Sequence, residues 1–194
     1  MVANLIAFRR DLQAILTDPF ERPFVCDGNP FSASTFIIGC NPATTMKSNF
    51  WEFWSDEGGM DRAKFLKDYQ AQKKILGVRA RIERIVGKLP QSSCLETNIF
   101  AYPTRKASQL SNEQRNNYTL KLLIERIRPS TLFIHSSEPI RYFSQLTGKH
   151  FENMIPEVVT LNGFRVTVLA RYGPLYTLGY DGADLIGEKL KELQ

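Results

Sequence analysis

Four apolar runs decide what this chain can fold into: TFIIGC (Thr35–Cys40), SSCLETNIFAY (Ser92–Tyr102), TLFIHS (Thr131–Ser136) and FRVTVLA (Phe164–Ala170). The first and third are rich in β-branched and aromatic residues and apolar on both faces, the pattern of strands buried on both sides. Helical periodicity fills the stretches between and around the four runs. Leu5, Ile6, Phe8, Leu12, Ile15 and Leu16 recur at helical spacing and predict a helix over Asn4–Leu16. Further helices are expected over Asp61–Leu89 with a break at Gly77, over Asn112–Ile127 with Ser111 as cap, and over Pro139–Leu146 and Ala183–Leu193. Strands alternating with helices predict an α/β fold with a mainly parallel sheet. The chain has 194 residues without repeats, low-complexity tracts or a linker, which fits a single domain over 1–194.

In open α/β sheets, ligands sit outside the carboxyl ends of the strands. Here those ends are Cys40-Asn41-Pro42, Asn98, His135-Ser136-Ser137 and Arg171-Tyr172, almost all polar or aromatic. Asn41 carries an amide with one acceptor oxygen and two donor hydrogens that does not titrate near neutrality. It can position a water or hold a substrate, or its side chain can close an Asn-Pro turn on its own backbone. Asn98 can read a base edge with paired donor and acceptor bonds, or satisfy loop backbone. Glu96, two residues earlier, fits a salt-bridged core carboxylate. His135 is either a packed, hydrogen-bonded histidine or a catalyst; His150, in a Gly-Lys-His loop, looks exposed. Phe50, Trp51, Phe53 and Trp54, expected on a helix, can stack on a planar ligand, but four aromatics so close together on a helix are expected mostly in the core.

Composition narrows the partners and the chemistry. A net charge of +5 favours an anionic partner such as nucleic acid. Three cysteines, Cys26, Cys40 and Cys94, are too few for a disulfide framework or a four-cysteine cluster and fit a reducing cytoplasm. No cluster of His, Cys and carboxylates has metal-ligand spacing, so no metal and no cofactor are expected. MVANLIAFRRDLQAIL lacks the basic segment of a signal peptide, and no run approaches transmembrane length, so a cytoplasmic protein off the membrane is expected.

The motifs, taken in order, resemble those of the uracil-DNA glycosylase superfamily. GCNP (Gly39–Pro42) is similar to its first motif, Gly-x-Asn-Pro at the end of the first strand in the mismatch-specific and single-strand-selective branches. ETNIFAYPTRKASQL (Glu96–Leu110) resembles the middle-strand region, FIHSSEPIRYF (Phe133–Phe143) the following strand-turn-helix, and VLARYGPLYTLGY (Val168–Tyr180) stands where the second motif is expected. The resemblance implies a three-layer α/β/α fold around a four-stranded parallel sheet and a monomer acting on DNA. It implies a hydrolase that cuts the N-glycosidic bond of uracil or another deaminated base, flipped into a pocket at the strand ends.

Carried over residue by residue, the resemblance implies that Asn41 positions the attacking water, with Gly39, Cys40 and Pro42 shaping the pocket through their backbone. Asn98 would bond the base. Arg171, Tyr172 or His135 would lie near the departing base, and Phe50 would substitute for the family's stacking phenylalanine. Gly173, Pro174 and Leu175 would approach DNA, with Leu175 as a wedge. The second motif departs from the family pattern, with Arg171 and Tyr172 where a His or Asn beside Pro-Ser is expected. That departure favours the rival expectation, a nucleobase- or nucleic-acid-binding protein that no longer cleaves. An aspartate at position 41 could both orient water and stabilise a cationic sugar, so Asn41→Asp is expected to retain excision.

Overall fold

The structure is a computed structural model and describes residues 2–194. Its core is a mixed sheet of six strands: β1 (Val25–Cys26), β2 (Thr35–Gly39), β5 (Cys94–Asn98), β6 (Thr131–His135), β7 (Pro156–Leu161) and β8 (Phe164–Arg171). The spatial order is β1-β5-β2-β6-β8-β7. The strands expected from the four apolar runs lie side by side and pair in parallel, with Ile37 opposite both Glu96 and Phe133 and with Phe133 opposite Leu169. The four-stranded, all-parallel expectation needs correcting, because an antiparallel strand closes each edge. β1 pairs with β5, and β7 pairs with β8 through the Asn162-Gly163 turn. Both turn residues have positive φ, 47° and 80°, as a two-residue type I′ hairpin requires. A small hairpin, β3 (Trp54–Ser55) with β4 (Gly59–Met60), stands apart from the sheet.

The strands are apolar on both sides because both faces of the sheet are covered. Phe36, Ile38, Leu95, Leu132, Ile134, Val166 and Val168 point into one core. That core is roofed by α1 (Val2–Ile15) through Leu5, Phe8 and Leu12, by α4 (Tyr118–Ile127) through Leu120, Leu123 and Ile124, and by α5 (Ser137–Thr147) through Ile140 and Phe143. The alternate residues Ile37, Cys94, Phe133 and Leu169 face a second core. There they meet α3 (Gly77–Val86) through Ile82 and Ile85, and α6 (Tyr180–Glu192) through Ala183, Ile186 and Leu190. Each large side chain buried this way contributes about 1.5–3 kcal/mol. The result is an α/β sandwich.

The break expected at Gly77 is present, and two other helix expectations shift for local reasons. The helical stretch after β4 is two helices, α2 (Arg62–Gln72) and α3, and Gly77 opens the second with a left-handed φ of 57°. α2 is capped by the Asp61 carboxylate, which accepts from the Lys64 N–H. α4 starts at Tyr118 rather than Asn112, because residues 112–114 form a turn and residues 115–117 are irregular. There the Ser111 hydroxyl donates to Glu113 and the Asn116 amide donates to the Glu113 carbonyl, local bonds that compete with a helix. Phe50–Phe53 form a 3₁₀ turn, not an α-helix, and Phe50, Phe53 and Trp54 are buried as expected of core aromatics.

The topology fixes where a ligand can bind. From β2 the chain crosses through α2 and α3 to β5 on one side; from β5 it returns through α4 to β6 on the other side of β2. The carboxyl end of β2 is therefore the point where strand order reverses and the connections diverge, opening a crevice.

Candidate functional site

A pocket of about 190 Å³ occupies that crevice. The ends of β2, β5 and β6 bring Gly39, Asn98 and His135 together there. The contact is close enough to explain the glycine: a Cβ on Gly39 would lie 2.8 Å from Asn98 Oδ1 and 3.1 Å from His135 Nε2. Any larger residue would fill the space that both polar atoms border. The Asn98 side chain makes no hydrogen bond to the described residues, so its whole amide remains available to a ligand. His135 is 7% exposed, and its Nδ1 lies 3.2 Å from the Ser136 hydroxyl. Burial, with a smaller contribution from nearby Arg171, pulls its pKa down to about 4. The imidazole is neutral at pH 7. When the serine hydroxyl donates to Nδ1, Nε2 carries the proton and becomes a donor toward the pocket.

This depressed pKa predicts a pH dependence of stability. Between pH 6.5 and about 4 the unfolded chain protonates this histidine while the folded chain does not. Its contribution is fully present above 6.5 and is lost as pH falls toward 4, at up to about 1.4 kcal/mol per pH unit. Urea unfolding at pH 7 and pH 5 should show a larger loss for wild type than for His135→Gln, whose side chain does not titrate. Equal losses in the two proteins would mean that His135 ionises normally.

Asn41 follows β2 on a segment stapled to the loop after β5. The N–H groups of Ile99, Phe100 and Thr104 donate to the carbonyls of Gly39, Cys40 and Pro42 at 2.9, 3.0 and 3.0 Å. The Asn41 Nδ2 donates to the Thr104 carbonyl and hydroxyl, each at 2.9 Å, and to the Pro42 carbonyl at 3.2 Å. With its nitrogen committed, the amide has one orientation. Oδ1 accepts no bond from the described residues and is not sealed from solvent, since Asn49 Oδ1 is the one such fully buried orphan oxygen among them. The side chain is thus an oriented acceptor on the pocket wall, not only a turn residue.

No protein-family model matches the chain, and no curated protein matches it.

Cys40 and Pro42 line the pocket as expected, but the Cys40 thiol donates to Glu138 at 3.2 Å. Burial and that carboxylate push its pKa up to about 12, so it is no nucleophile near neutrality. Phe50 does not reach the pocket. It packs edge-on behind Phe24 at 5.0 Å, and Phe24 with Tyr69 supplies the aromatic lining instead.

Arg171 and Tyr172 are also absent from the lining. Arg171 turns onto its own loop, donating to the Gly173 and Pro174 carbonyls at 2.7 and 3.2 Å. The Tyr172 hydroxyl donates to the Phe151 carbonyl at 3.0 Å. Gly173 takes φ 92°, Pro174 caps the following 3₁₀ turn, and Leu175 is 0% exposed in the second core. A buried leucine is no wedge in this conformation; its neighbour Tyr176, at 60% exposure, projects instead.

The pocket also holds residues that the sequence reading passed over: Arg22, Thr44, Tyr69 and Arg79. Arg79 and Arg62 clamp Glu96, at 2.6 and 3.2 Å, and both also meet Glu83. Glu96 is therefore the salt-bridged core carboxylate its position suggested. The Arg79–Glu83 pair at helical i, i+4 spacing was a signal in the sequence; the arrival of Arg22 from the loop before β1 was not. Among the described residues no group of three or more His, Cys, Asp and Glu side chains could hold a metal ion, and no helix is long and apolar enough to cross a membrane.

Proposed function

We propose that this chain is a DNA glycosylase of the uracil-DNA glycosylase kind, built on that superfamily's parallel-stranded core and acting as a monomer on a deaminated base flipped out of DNA. The observation that carries the reading is the meeting of Asn98 and His135 over a glycine that leaves room for a ring, beside an asparagine held so that only its acceptor oxygen is free. Pocket size, aromatic lining and neutral polar tips suit a planar base.

In the proposed reaction Asn98 bonds the base edge, and neutral His135 donates from Nε2 to a ring oxygen as negative charge develops there. Asn41 Oδ1 accepts a hydrogen bond from water and aims it at the sugar carbon. The bond from that carbon to the ring nitrogen breaks, its electron pair leaves with the base, water adds to the sugar, and a proton passes to solvent. No cofactor takes part.

The test is single-turnover cleavage of uracil, hypoxanthine and xanthine in single and double strands. Excision of at least one is expected. Asn98→Ala should lower excision about tenfold or more while DNA affinity changes little, because phosphate contacts set affinity and base contacts set specificity. The commitment of Arg171 to its own loop and of Tyr172 to the Phe151 carbonyl favours a second reading, a protein that holds a base without cutting. Binding of uracil-containing strands without cleavage of any would establish it.

A further inference from the structure

Arg22 lines the same pocket, and among the described residues it forms no ion pair. Its backbone is fixed by a 2.9 Å bond from its N–H to the Ala101 carbonyl. Its guanidinium lies 5.7 Å from the centre of the Phe65 ring. Among the described residues the one acceptor it reaches is the Thr44 carbonyl, at a long 3.4 Å from Nη1. Nearby, Arg62 and Arg79 are matched by Glu83 and Glu96, so Arg22 is the surplus charge of the cluster. Burial, followed by repulsion from Arg79 that outweighs the attraction of Glu96, lowers the Arg22 pKa to about 10, still a cation at neutral pH.

A guanidinium is a fork of donors that accepts nothing. Facing a pocket with most of that fork unused, it calls for an oxygen on the ligand. The neighbouring Phe24, Val25, Ile37, Val78 and Ile82 make this an apolar slot for a ring rather than a cradle for a phosphate.

We propose that Arg22 forms an oxygen-acceptor subsite that receives a carbonyl oxygen of the bound ring and restricts the pocket to rings carrying a carbonyl, neutral or anionic, at that edge. The inference rests on the base-binding reading above. A ring with an exocyclic amine at that edge would oppose donor to donor and leave both unsatisfied. A ring leaving as an anion spreads its charge onto its oxygens, so the same subsite would hold the departing base more tightly than the attached one.

The test is equilibrium binding of free uracil and xanthine, with adenine and 2,6-diaminopurine, which carry amines and no carbonyl, as comparisons, to the full chain and to Arg22→Met and Arg22→Lys. Thermal unfolding of each protein checks its fold. Wild type should bind the carbonyl rings at least about tenfold more tightly than the amine rings. Arg22→Met should erase that preference, and Arg22→Lys, which keeps the charge but not the fork, should retain part of it. Carbonyl-ring binding that is the same in wild type and both variants would overturn the role of Arg22 and leave the base-binding reading standing. Failure of wild type to bind any of the four rings would overturn both. If Arg22→Met does not fold, the lysine variant decides: unchanged affinity and preference there refute a donor fork.

Discussion

Asn41→Ala is expected to lower single-turnover excision by about 10²-fold or more, the scale of removing one preorganised polar group at a reacting centre. On the proposed reading much rests on a neutral amide, and its hydrogen bonds hold it in one orientation. Thr104 and Pro42 take the nitrogen, and the loop after β5 is laced to the Asn41 segment by three backbone bonds, so the acceptor is aimed before any substrate arrives. The same bonds change what is expected of Asn41→Asp. A carboxylate there would face the Thr104 and Pro42 carbonyls, which cannot donate, and the Thr104 hydroxyl already donates to the Lys106 carbonyl at 2.9 Å. Sequence alone favours retained activity for aspartate; the geometry predicts a turned side chain and a loss approaching that of alanine. Single-turnover rates with saturating enzyme on uracil-containing single strands check both variants. An active wild type whose rate survives Asn41→Ala would remove Asn41 from the reaction.

The second large effect is on stability. Glu96→Ala should lower the free energy of unfolding by about 3–5 kcal/mol, because it strands a buried cation rather than merely deleting a contact. Glu96 is 6% exposed and accepts from Arg79 at 2.6 Å and Arg62 at 3.2 Å, while Arg79 is itself 7% exposed. Without Glu96, Arg62 and Arg79 share the single carboxylate of Glu83, and Arg22 remains unpaired among the described residues. Urea denaturation measures the loss. Adding Arg79→Met to Glu96→Leu should recover much of it, since an apolar pair can replace a buried ion pair at little cost. A loss below about 1 kcal/mol for Glu96→Ala would mean that water reaches the cluster and screens it.

β2 and β6 were legible because each is buried on both faces and so writes a continuous apolar run. The edge strands were not. β1 is two residues long, too short to show a period, and β7 carries Glu157 and exposed Val158 on a half-solvated edge. The Asn162-Gly163 step between alternating apolar residues was the available signal for the β7–β8 hairpin. At the site, Gly39, Asn41, Asn98 and His135 could be found because strand ends follow from strands. Phe24 and Arg22 could not, since the loop that brings them is placed by β1 pairing across to β5. Leu175 is buried and Arg171 lies outside the pocket lining for a related reason. A loop's side chains turn inward or outward according to the helix beneath, and here Ile82 and Ile85 of α3 share the core that takes Leu175.

The placement of β2 between β5 and β6 has a consequence for how the molecule comes into being. A growing chain exposes Gly39 and Asn41 early, yet both neighbours of that strand, β5 and the β6 that carries His135, are made later. Parallel pairing of distant segments is slow because the intervening chain must close before any contact rewards it. During synthesis the apolar strand Thr35–Gly39 therefore waits unpaired on both edges, a span in which it is open to aggregation and to chaperones. The pocket has no partial form: it arises only when the last of its three strands docks.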